Sequence, residues 1–143
     1  MRKTLLTAMA IFATLAFFAC KKSSSTSNAK TVENLSGSYN LTALTWTTLG
    51  VSVNVYDSLP DCEKDNVIKL NTDLSLDFID GVPVCTPDES DHGSWSLSSN
   101  GDSLYFGTTA SYIKSWDGKT LVLTGIVDDG PPQVLGQTTL VKK

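Results

Sequence analysis

Very few side chains in this 143-residue chain are spaced for bond-making chemistry. The single histidine, His92, lies in the stretch Pro87-Asp88-Glu89-Ser90-Asp91-His92-Gly93. An imidazole acts as a general base only with a nucleophile in hydrogen-bond reach and a third group to orient the ring. No Gly-x-Ser-x-Gly elbow marks a serine for that role. The acids Asp128-Asp129, followed by Gly130-Pro131-Pro132, read as a turn. In Asp61-x-Glu63-x-Asp65-Asn66 carboxylates alternate, as in a calcium loop. An EF-hand needs Gly at the sixth position and Glu at the twelfth, where this chain has Asn66 and Thr72. Cys62, Cys85 and His92 do not make a spaced metal-ligand set. The sequence therefore predicts no catalytic residue, no metal and no cofactor.

What remains is recognition by apolar surface, and the elements that must position it are strands. Short alternating segments are bounded by Gly, Asn, Asp and Pro, and no long window holds a helical apolar period. The candidates are 38–46, 51–57, 66–70, 74–80, 93–98, 103–107, 111–116, 119–127 and 134–142, the second being the weakest. Asn100-Gly101 and Asp117-Gly118 separate apolar pairs and predict type I′ hairpin turns. With a strand at either extreme of the segment, the two edges can meet. This predicts an all-β fold, an up-and-down antiparallel barrel of about eight strands, with a two-sheet sandwich as the alternative. Inward aromatics then fill such a barrel, the expectation for so short a domain, or line a pocket. Trp95, Phe106 and Tyr112 are the candidate lining residues.

The N-terminus supplies an address. Arg2 and Lys3 precede an apolar run from Leu5 to Ala19, too short for a stable bilayer span. Ala16-Phe17-Phe18-Ala19-Cys20 resembles the lipobox of bacterial lipoproteins. The resemblance implies that residues 1–19 are a signal peptide and that Cys20 is lipidated and becomes the first residue of the mature chain. Residues 20–34 read as a Ser-rich tether, with no apolar face to bury. The resemblance places the protein in the cell envelope as an outer-membrane lipoprotein. Lys21 and Lys22, in place of an acidic run after the cysteine, favour the periplasmic side. With Cys20 acylated, Cys62 and Cys85 are left in an oxidising compartment and read as a disulfide pair; two separate buried thiols are the alternative. A bridge would close a ring of about 24 residues and contribute roughly 3.5 kcal/mol.

Residues 35–143 are enough for one small domain. They hold six lysines, no arginine and every acid of the chain except Glu33, a formal charge of −8. Nucleic-acid binding needs clustered cations, so that class is excluded.

The block Leu35-Ser-Gly37-Ser-Tyr39-Asn-Leu41, then Asp61-Cys62-Glu63-Lys64-Asp65-Asn66, Cys85 and Gly93-Ser94-Trp95, resembles the short lipocalin-like lipoproteins of Bacteroidetes. Tyr39 stands where lipocalins usually carry Trp. The resemblance implies a barrel over 35–143 with a Cys62–Cys85 bridge bracketing a central hairpin. It also implies a lipid-anchored binding protein for a small hydrophobic ligand, without catalysis. The alternative is a protein-interaction or inhibitor module, in which an acidic domain engages a basic enzyme.

Overall fold

The computed structural model describes residues 28–88 and 90–143. The expected signal peptide and Cys20 lie outside the described residues. Nine strands follow in order: β1 (Gly37–Thr48), β2 (Val51–Asn54), β3 (Val67–Leu70), β4 (Ser75–Ile79), β5 (Asp91–Leu97), β6 (Ser103–Phe106), β7 (Thr109–Trp116), β8 (Thr120–Asp128) and β9 (Val134–Lys142). All their pairings are antiparallel, and β1 and β9 also pair with each other, from Tyr39↔Lys142 to Thr47↔Leu135. That seam closes an eight-stranded up-and-down barrel with β2 as an extra strand, and it excludes the open sandwich.

Period-two alternation decides which side chains turn inward. Two of the three register shifts adjust the phase where it would otherwise fail, the third lying between Ile126 and Asp128. One slip between Leu41 and Ala43 keeps both Leu41 and Leu44 on the inner face, although they are three residues apart. Another between Ile113 and Ser115 does the same for Ile113 and Trp116, both buried. A bulge adds one unpaired residue and sharpens the local twist, which helps a sheet to curl shut.

The wall is not uniform. On one edge, β1 pairs with β3 along Gly37–Asn40 and with β2 along Thr45–Thr48. Between these stretches a window opens, crossed by the connection from β2 to β3. That connection holds a 3-10 turn (Tyr56–Ser58), which is why β2 stops at Asn54, and the short helix α2 (Asp61–Lys64). Cys62 of α2 is bonded to Cys85 of the loop after β4, with Cα atoms 5.2 Å apart. The bridge thus ties the window's cover to the neighbouring loop, beside the β3–β4 hairpin as expected.

The hairpins correct one sequence expectation. Asn100-Gly101 and Asp117-Gly118 do turn the chain, but not as type I′, because only the glycines have positive φ (72° and 92°). Asn100 Oδ1 accepts from the Asp102 amide at 3.2 Å, and Asp117 Oδ1 from the Lys119 amide at 2.8 Å. Asx side chains that hold the amides ahead of them stabilise a different turn. The two-residue loop with both φ positive is Leu49-Gly50, between β1 and β2 (51° and 79°).

One end of the barrel is a packed floor. Leu35, Tyr39, Leu70, Trp95, Leu104, Ile113, Leu121 and Leu140 are buried together there. Residues 28–34, counted with the tether on sequence, take part in closing it. Thr31 caps α1 (Val32–Leu35), and Leu35 enters the core. Lys30 pairs with Asp102 at 3.3 Å, the Tyr39 hydroxyl donates to the Leu35 carbonyl at 2.6 Å, and Lys142 Nζ donates to the Asn34 carbonyl at 2.9 Å. Among the described residues no helix is long and apolar enough to cross a membrane.

Candidate ligand site in the barrel

Above the floor the interior is not filled. A cavity of about 230 Å3 is lined by Leu44 of β1, Ile68 of β3, Phe106 of β6, Leu123 of β8, and Thr138 and Leu140 of β9. Inward phase puts these side chains there. Gly125 and Gly136 face each other across the β8–β9 ladder and belong to the lining. A Cβ on Gly136 would lie 2.6 Å from Val127 Cγ2, so that side chain already occupies the room a larger residue would take. At the open end exposed apolar groups gather: Val127 belongs to the lining, Trp46 lies beside Gly136, and Val51 and Val53 stand on β2 next to it.

A smaller cavity of about 160 Å3 lies inside the window, against Leu41, Leu44, Leu59, Asn66, Ile68 and Phe78, with Glu63 at its side. It shares Leu44 and Ile68 with the larger cavity. A third concavity, of about 540 Å3, lies on the outer face, where Tyr112, Ile126 and Leu135 stand beside Thr47, Thr124 and Gln137.

The structure separates the three residues expected to line a pocket. Phe106 lines the larger interior cavity. Trp95 is locked in the floor, its indole N–H donating to the Asn71 carbonyl at 2.9 Å. Tyr112 points outward and is exposed on the outer concavity. A one-residue phase difference accounts for this: Trp116 and Ile113 take the inner positions of β7, which sends Tyr112 outside. Absent from the sequence expectation were Leu44, Ile68, Leu123, Thr138 and Asn66. Strand phase could have found the first four, once the Leu41–Ala43 bulge was known.

The polar candidates sit elsewhere. His92 Nδ1 lies 2.8 Å from Asp77 Oδ1 on the outer face of β4 and β5. Asp77 Oδ2 also accepts from Asn71 Nδ2 at 2.9 Å. Hydrogen bonds from Asn71, then from His92, hold the Asp77 carboxyl below the usual carboxylate range. The pair has the orienting half of an acid–base site. Among the described residues no serine or threonine hydroxyl hydrogen-bonds to the imidazole. Asp61 forms an exposed ion pair with Lys64, and Asp128 Oδ1 accepts from the Gly130 amide in its turn. Among the described residues no group of three or more His, Cys, Asp or Glu is placed to hold a metal ion.

No protein-family model matches the chain, and no curated protein is significantly similar to it.

Proposed function

We propose that this is a lipid-anchored protein of the cell envelope that binds a small hydrophobic molecule inside a lipocalin-like barrel, without catalysing a reaction on it. The observation that carries the reading is the apolar interior cavity beneath a rim of exposed apolar side chains. Small-molecule sites are concave and mostly apolar, with few polar groups, and the mouths of barrels are common places for them. The lipobox-like segment ending at Cys20 supports anchoring, with the acyl chains supplying the membrane affinity.

Titration with the neutral probe N-phenyl-naphthylamine tests the reading. Saturable fluorescence enhancement is expected, and it should be lost in Leu44→Trp, which fills the cavity from its wall. Enhancement that survives in both Leu44→Trp and Thr138→Leu would place the probe elsewhere and overturn the reading.

A second reading, attachment to a protein partner, is favoured by one observation. Tyr112, Ile126 and Leu135 form an exposed apolar group on the outer wall. Aromatic and aliphatic groups of this kind mark interaction surfaces. Cross-linked capture from envelope extracts, compared between the wild type and Tyr112→Ser, separates the two readings.

A further inference from the structure

The cavity inside the window contains a polar group that the fold leaves unsatisfied. Asn66 is 3% exposed, and its Oδ1 accepts from the Gly81 amide at 2.9 Å. That bond fixes the side chain's orientation, since turning it over would set one N–H against another. The Nδ2 donor is buried without a hydrogen-bond partner. Leaving such a donor unmade carries the full penalty of its lost hydration, and folded proteins rarely carry one without a cause. Leu41, Leu44, Leu59, Ile68 and Phe78, which make up most of the cavity wall around Asn66, have no side-chain acceptor.

Resting on the ligand-binding reading above, we propose that the ligand is an apolar molecule ending in a neutral hydrogen-bond acceptor, a carbonyl or ester oxygen, held by Asn66 Nδ2. The apolar body occupies the larger cavity and the head reaches past Leu44 and Ile68, the side chains common to both. Neutrality follows from the walls. No Lys, Arg or His among the described residues lines either cavity, and Glu63 borders the smaller one. A carboxylate head would lose its hydration there with no cation to replace it. The two spaces together hold about 390 Å3, within the range of about 300–1,000 Å3 usual for small-molecule sites.

Decane, methyl decanoate and decanoate separate the possibilities, with binding followed by calorimetry on the wild type and on Asn66→Asp. That substitution keeps an oxygen for the Gly81 amide and, measured at alkaline pH where the new carboxyl is ionised, has no hydrogen left to donate. Methyl decanoate should bind the wild type about tenfold more tightly than decane, the worth of one buried hydrogen bond, and more tightly than decanoate. The advantage over decane should vanish in Asn66→Asp. Side-chain amide NMR on the wild type gives a readout that does not depend on the variant folding. The Asn66 resonances should move with methyl decanoate and stay in place with decane. Equal affinity for decane and the ester, or ester binding that leaves those resonances unmoved, overturns the head-group assignment and leaves the barrel reading standing; in that case water satisfies the donor. Preference for decanoate overturns it through the charge. Failure of all three compounds to bind removes the barrel reading as well.

Discussion

Tyr39 shows how much one side chain contributes at the floor. Its ring is fully buried and its hydroxyl is committed to the Leu35 carbonyl. Burial pushes the phenol's pKa up to about 12. The unfolded chain would lose that proton near pH ~10. Stability from this group is therefore complete below about pH 10 and is lost as pH rises through the folded value of about 12. Lys142, its Nζ 5.9 Å from the Tyr39 ring, is shifted down by burial and acts in the opposite sense. Urea unfolding of the wild type and Tyr39→Phe, at neutral pH and at pH ~11, isolates the tyrosine. Tyr39→Phe should cost about 1 kcal/mol at neutral pH and lose less stability than the wild type on going to high pH. An equal loss in both proteins would contradict the assignment. Tyr39 was legible in the sequence as an aromatic in strand phase. Asn66 was not, because what matters about it is the Gly81 amide that arrives from the far side of the β3–β4 hairpin.

At the level of elements, strand positions were the most readable feature, since alternation and turn residues are local signals. All nine candidates correspond to observed strands, and the main boundary difference is β2, which ends at Asn54 where the 3-10 turn takes over. Turn geometry was less readable. The Asx-Gly pairs pointed to type I′ turns, yet Asn100 and Asp117 use their side-chain oxygens for local amides and keep negative φ. The type I′ geometry falls on Leu49, a residue with no preference for it. A left-handed conformation costs a branched residue about 1–2 kcal/mol, and the Leu49 side chain is 84% exposed, so little packing offsets that. Leu49→Asn should therefore stabilise the β1–β2 hairpin by about 1 kcal/mol. The expected readout is slower hydrogen exchange at the β2 amides, with the β4–β5 ladder unchanged. The disulfide acts on the neighbouring element. Replacing both Cys62 and Cys85 by Ala should lower unfolding stability by roughly 3.5 kcal/mol and raise exchange first in the 55–66 connection. A loss spread evenly over all strands would contradict the local role given to the bridge.

For the whole molecule, closure follows from the sequence because edges cost free energy and the first and last strands are both available to remove them. The hollow upper half does not follow. It depends on a bulge that turns Leu44 inward and on a window that replaces direct β1–β3 pairing there. Each is a long-range event with no local signature, so a filled interior was the natural expectation for so small a domain. Packing explains the division between the ends, because α1 seals the floor and, among the described residues, nothing comparable covers the rim around Trp46 and Val53. Methyl NMR during titration with methyl decanoate distinguishes a ligand seated within the barrel, as proposed, from one bound outside it. Saturable shifts are expected at the methyls of Leu44, Ile68, Leu123 and Leu140, with Leu35 in the floor and Leu135 on the outer wall unmoved. No saturable shift at the four lining residues, or shifts confined to Leu135 outside, would contradict it.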